Sequence, residues 1–190
     1  MNTDNWYAPP IGVRHDPTLT DQGRRSTIRE YANKYTDYRI LIETGTNDGA
    51  TPLALVDLFD KIYTIEINAQ TFERNIPVFE KYNNIEALCG DSFFLLPDLM
   101  GRIKTPCIFW LDGHGGGGQT CGIKETPVKE ELECIFRTNL PHVILVDDAR
   151  LFGRDPAYPT LEWVRDIATT QDINFKFNYM DDIIRITPVP

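Results

Sequence analysis

One stretch constrains the fold more than any other: Arg39-Ile40-Leu41-Ile42-Glu43-Thr44-Gly45-Thr46-Asn47-Asp48-Gly49-Ala50-Thr51-Pro52. It begins as a short apolar run, which reads as a buried strand, and ends in an acid followed by a glycine turn. A helix start follows at once, with Thr51 as its cap and Pro52 at its first position. Strand, glycine turn and helix is the arrangement that holds a nucleotide-like ligand at the end of a parallel sheet. Gly45 and Gly49 are expected to let backbone approach that ligand where a Cβ would collide. The spacing is E-x-G-x-x-x-G and not the G-x-G-x-x-G of dinucleotide sites, which speaks against a nicotinamide dehydrogenase.

The rest of the chain repeats the same alternation. Residues 21–34 read as a polar amphipathic helix leading into the first strand. After the glycine turn, Leu53, Leu55, Val56, Leu58 and Phe59 form a helical apolar face. A second strand, 61–67, is rich in β-branched residues and carries Glu66 near its tip, where an acid can accept from both hydroxyls of a ribose. The other reading of Glu66 is a solvated strand end. A helix over 69–82 should be disturbed at Pro77. Residues 84–89 read as a third strand, and Ser92 as the cap of a short helix over 93–100. The near-continuous apolar run 106–111 has the character of a central strand buried on both faces. A helix over 126–137, a buried strand over 142–146 and a helix over 160–168 follow. The segments 173–179 and 183–187 flank the turn pair Asp181-Asp182 and predict a closing antiparallel hairpin.

Length and charge narrow the function. A chain of 190 residues with no internal linker or repeat predicts one domain, with an N-terminal arm and helix over 1–37 and a core over 38–190. The arm, punctuated by Pro9, Pro10 and Pro17 and carrying Trp6 and Tyr7, is expected to pack on the domain or on a second copy in a homodimer; the alternative is a lid over the substrate. The net charge of −9 argues against nucleic acid as a partner and favours a small-molecule or sugar substrate. No apolar run reaches the roughly 20 residues of a membrane span, and residues 1–5 lack a signal-peptide pattern. Cys89, Cys107, Cys121 and Cys134 form no C-x-x-C pair, and two fall in predicted strands. Reduced thiols and a cytoplasmic location are the expectation.

Four acidic sites fall at predicted strand ends: Glu43, Glu66, Asp112 and the pair Asp147-Asp148. In a doubly wound sheet the strands ending at Asp112 and Asp147 are neighbours, so three carboxylates should crowd together. Like charges at that distance raise each other's pKa, and a bound divalent cation would remove the cost. Carboxylate oxygens suit Mg²⁺, Mn²⁺ or Ca²⁺. The competing account is one structural aspartate and two solvated or capping ones. Arg150 is the basic residue adjacent in sequence, and it could neutralise the cluster with no ion.

Glu43-x-Gly45-x-x-x-Gly49 resembles the first motif of the class I S-adenosylmethionine-dependent methyltransferases. Further motifs sharpen the resemblance: Trp110-Leu111-Asp112-Gly113-His114, then Thr126-Pro127-Val128-Lys129-Glu130-Glu131-Leu132-Glu133, then Val143-Ile144-Leu145-Val146-Asp147-Asp148. Together they look like the metal-dependent sugar O-methyltransferases of macrolide and aminocoumarin tailoring, and like methyltransferase-like proteins found among glycan genes. The resemblance covers about residues 38–150. It implies a Rossmann-like sheet of seven strands, doubly wound, with only the last strand antiparallel. It implies cofactor contacts from Glu43, Gly45, Thr46, Gly49, Glu66, Asn68, Asp91, Ser92 and Asp112, with Glu43 and its turn at the methionine end and Asp91 at the adenine amine. It implies Mg²⁺ on Asp112, Asp147 and Asp148. The sequence departs at His114, where the tailoring enzymes carry another acid, and in the glycine run 115–118, read either as a flexible substrate flap or as a disordered segment. Asp112 and His114 are the catalytic candidates, with His114 as base or metal ligand. The expected activity is O-methylation of a small molecule, a sugar hydroxyl, with divalent-metal assistance. The alternative is a protein of this fold that binds the cofactor or a sugar nucleotide without transfer.

Overall fold

The computed structural model describes residues 21–114 and 122–189. The predicted N-terminal arm, the glycine run 115–118 and Cys121 lie outside the described residues. The strands are β1 (Ile40–Thr44), β2 (Lys61–Glu66), β3 (Ile85–Cys89), β4 (Ile108–Leu111), β5 (Val143–Val146), β6 (Phe175–Met180) and β7 (Ile183–Pro188). The helices are α1 (Asp21–Lys34), α2 (Ala50–Leu55), α3 (Ala69–Phe79), α4 (Ser92–Arg102), α5 (Val128–Phe136) and α6 (Leu161–Thr169). One seven-stranded sheet runs in the order β3-β2-β1-β4-β5-β7-β6. β1 to β5 are parallel to their neighbours, and β7 alone is antiparallel, to both β5 and β6. This is the doubly wound α/β sheet that the alternation predicts.

The apolar runs explain which faces are covered. In β4, Ile108 and Trp110 join the cluster under α1 and α2, while Phe109 and Leu111 join the cluster under α4, α5 and α6. Successive strand residues point to opposite faces, so a strand covered on both sides must be apolar throughout. The sheet reverses its winding between β1 and β4, and the crevice outside the carboxyl ends of those strands is where such sheets bind ligands.

Several local readings change. Helix α2 is capped by Gly49 at φ 76 with no side-chain bond, so neither Thr51 nor Pro52 holds the predicted position. Asp48 supplies the local acceptor, its Oδ1 taking the Ala50 amide at 3.0 Å. Helix α4 is capped by Asp91 and not by Ser92, which is its first residue; Asp91 Oδ1 accepts from the Phe93 amide at 2.9 Å. The closing hairpin turns through Asp181 and Asp182 at φ 51 and φ 60, the pattern of a two-residue type I′ turn. Cys107 is buried ahead of β4, whereas Cys89 is exposed at the end of the edge strand β3. Among the described residues no helix is long and apolar enough to cross a membrane.

Candidate functional site

A cavity of about 580 Å³ opens over the carboxyl ends of the central strands. That falls within the roughly 300–1,000 Å³ of small-molecule sites. Gly45, Glu66, Asn68, Asp91, Ser92, Asp112, His114, Asp147 and Asp148 line it, as the sequence reading requires.

Glu66 is the best-held of these. Its Oε2 accepts from the Asn47 amide at 2.9 Å and its Oε1 from the Asn68 amide at 2.8 Å. Each carboxylate oxygen keeps a second acceptor site, so the group is fixed yet still able to receive two hydroxyls. Asn68 caps α3 through the Thr71 amide at 3.0 Å. Asp91 is held in the same manner as Glu66, by Phe93 N on one oxygen and Ile123 N, at 3.1 Å, on the other.

Three predicted contacts lie beneath the cavity and not on its wall. Glu43 is buried with its carboxyl turned toward α2, where the Thr64 hydroxyl donates to Oε2 at 2.6 Å and Thr51 lies beside it. Thr46 is also buried, its hydroxyl 2.5 Å from that of Thr64. Burial, partly offset by those hydroxyls, pushes the Glu43 pKa to about 8. Glu43 therefore braces the glycine turn from below. A Cβ at Gly49 would stand 2.8 Å from the Phe79 ring, and one at Gly45 would stand 2.4 Å from the Asp112 carbonyl oxygen. Both glycines are required by packing within the chain, and Gly45 also lines the cavity.

The other end of the cavity is acidic. Two groups have ligand atoms within 4.8 Å of one another: Asp112 with His114 and Asp148, and Asp147 with Asp148 and Asp182. Asp148 is the shared member. Two arginines enter the cluster. Arg24 of α1 pairs through Nε with Asp147 Oδ2, and its Nη2 lies 3.9 Å from Asp148. Arg150 Nη1 donates to Asp148 at 2.6 Å and also to Asp182. Four carboxylates thus meet two guanidinium groups. Burial, together with Asp147 and Asp148, holds the Asp112 pKa well above the usual carboxylate value. Burial likewise raises Asp147 to about 6, against the pull of Arg24. Asp147 Oδ1 is buried with no hydrogen-bond partner. Four carboxylates facing two guanidinium groups, one with an orphaned oxygen, fit a divalent cation.

His114 is engaged on both nitrogens. Nε2 lies 3.2 Å from the Leu111 carbonyl oxygen, which can only accept, so Nε2 carries the proton; the Tyr158 hydroxyl then donates to Nδ1 at 3.1 Å. Burial lowers its pKa. The ring offers no free nitrogen to a substrate, and it serves a metal only if Tyr158 gives way. This geometry is that of a neutral histidine held by Leu111 and Tyr158, within metal-ligand distance of Asp112 and Asp148.

No protein-family model matches the sequence, and no curated protein matches it. Solved structures do. The SAH-bound Podospora anserina methyltransferase PaMTH1 is 13% identical, covering 90% of this chain and 80% of its own at TM-score 0.62. A Staphylococcus aureus protein assigned as a caffeoyl-CoA O-methyltransferase is 14% identical over 90% and 85%, at 0.61. The 23S rRNA methyltransferase ErmE is 14% identical over 90% and 69%, at 0.57. The chain has the class I methyltransferase fold.

Within that methyltransferase fold, the residues that sequence reasoning missed come from distant elements. Arg24 lies on the first helix, Tyr158 ahead of α6 and Asp182 in the last hairpin. Asp182 carried a local signal, an acid pair in a turn that also supplies the acceptor for Arg150 N at 2.7 Å. For Arg24 the signal was the unbalanced charge at the strand ends, which demanded a cation from somewhere.

Proposed function

We propose that the chain is an S-adenosylmethionine-dependent O-methyltransferase acting on a small molecule, a sugar hydroxyl, with divalent-metal assistance. The observation that carries this reading is the cavity's polarity: at one end the rigidly held Glu66, at the other two acidic groups that share Asp148, one with Asp112 and His114 and one with Asp147 and Asp182.

The cofactor supplies a sulfonium-bound methyl group, which leaves a neutral thioether behind. The chain supplies the rest. Glu66 receives the ribose hydroxyls on its remaining acceptor sites. Asp91, anchored by two amides, stands beside the adenine position. Asp112, Asp147 and Asp148 would hold Mg²⁺ or Mn²⁺, and a metal there lowers the pKa of a bound hydroxyl. Asp112, on the cavity wall just past β4 and within reach of Asp148 and His114, is the carboxylate placed to orient the acceptor hydroxyl beside that metal. Much of the acceleration then comes from alignment of acceptor oxygen and methyl group.

Labelled cofactor incubated with a panel of sugars tests this directly. Label transfer that EDTA abolishes and Mg²⁺ restores is the expected result. Cofactor binding with no transfer to any acceptor would favour a binding protein of the same fold. Transfer that persists after exhaustive chelation would remove the metal and leave the arginines as the counter-ions.

A further inference from the structure

We propose that Arg24 is a built-in counter-ion that sets the cluster's affinity for a divalent cation, and that it yields Asp147 when the metal binds. The proposal rests on the metal-assisted reading above. It adds a residue from outside the strand ends and gives it a task.

The two arginines are held differently. Arg150 belongs to the turn it neutralises. Its amide donates to Asp182 Oδ1 at 2.7 Å, and its guanidinium bridges Asp148 and Asp182. Arg24 comes from another element altogether. It reaches Asp147 from α1, and its side chain keeps 26% of its surface exposed while that of Asp147 keeps 2%. A long side chain that keeps access to solvent can move outward, whereas a buried carboxylate cannot follow it.

Arg24 also has a second place to go. Its Nη1 lies 3.4 Å from Asp21 Oδ1, one turn earlier on α1, and Asp21 is 75% exposed at the rim of the same cavity. Released from Asp147, the guanidinium can remain paired at the rim. Asp147 then offers a carboxylate whose Oδ1 has no partner at present. A guanidinium and a divalent ion cannot both be served fully by one carboxylate, so each weakens the other's hold.

Mn²⁺ titration by calorimetry on the full chain tests this, with S-adenosylhomocysteine binding measured on every variant as the check of folding. Arg24→Gln is expected to bind Mn²⁺ more tightly than the parent, by about tenfold or more. Asp21→Asn, at an exposed position, is expected to change affinity the other way, because the displaced guanidinium loses its resting partner. Equal Mn²⁺ affinity in parent and Arg24→Gln overturns the role of Arg24 and leaves the metal site standing. Mn²⁺ binding by neither, with S-adenosylhomocysteine still bound, overturns both this inference and the metal half of the proposed function.

Discussion

Gly45 and Asp112 touch backbone to backbone: a Cβ on Gly45 would lie 2.4 Å from the Asp112 carbonyl oxygen and 2.9 Å from the Gly113 amide nitrogen. The two residues directly follow β1 and β4, the strands at which the sheet reverses its winding. Gly45 also sits at φ 86, which costs any other residue further strain. Neither neighbouring group can move without dragging a strand end. Gly45→Ala should therefore destabilise the whole fold, by roughly 2–4 kcal/mol in urea unfolding. Full stability with loss of S-adenosylhomocysteine binding would instead restore a ligand-clearance role.

Glu66 links two loops before any ligand arrives, through Asn47 N and Asn68 N. Glu66→Ala removes both anchors and, on the proposed function, the acceptor for the ribose hydroxyls. Calorimetry should show S-adenosylhomocysteine affinity falling by about 1.5–3 kcal/mol, the range for hydrogen bonds to a charged group. Unchanged affinity in the folded variant would take Glu66 out of the site.

The Tyr158 hydroxyl and Leu111 carbonyl fix the neutral His114 tautomer. Tyr158→Phe leaves Nδ1 buried and unpaired, at a cost of about 1–3 kcal/mol of stability. A positioning histidine predicts that the acidic limb of the kcat profile stays where it was. A shift of that limb on Tyr158→Phe would show that His114 titrates in the reaction and is the base after all.

The sheet was legible because its signal is local. The buried runs of β4 and β5, the acids that follow them and the two-residue hairpin turn are each written within a few residues. Caps shifted by one position from Ser92 to Asp91 and by two from Thr51 to Gly49, because several residues in a row could cap and only the backbone angles choose among them. The site divides along the same line. Glu66 and the three aspartates sit at strand tips and could be placed by counting. Arg24 reaches Asp147 from the opposite end of the chain, Tyr158 meets His114 from 44 residues on and Asp182 meets Arg150 from 32 residues on, separations that no local pattern bridges. Glu43 misled because an acid beside a glycine turn reads as a ligand contact, and only the neighbouring Thr64 shows which way it points.

Glu131 on α5 yields a prediction about pH. It is 1% exposed, and both carboxyl oxygens lack a hydrogen-bond partner; Ser92 and Thr44 lie beside it without a bond of normal geometry. Burial pushes its pKa from 4.5 to about 7, and Glu43 moves the same way, to about 8. For an acid raised on folding, the contribution is fully present below the unfolded value. Between pH 4.5 and about 7 the unfolded chain releases a proton that folded Glu131 retains, so stability falls as pH rises. Above about pH 7 the folded form releases it too and the loss levels off, at a total on the order of 3 kcal/mol. Glu131→Gln keeps the shape of the protonated acid and cannot ionise. Urea unfolding should find the variant more stable than the parent near pH 8 and close to it near pH 5, with part of the parent's slope remaining because of Glu43. A variant less stable than the parent at both pH values would mean that Glu131 is an ionised, partnered carboxylate in the folded protein, and the buried-acid account would be wrong.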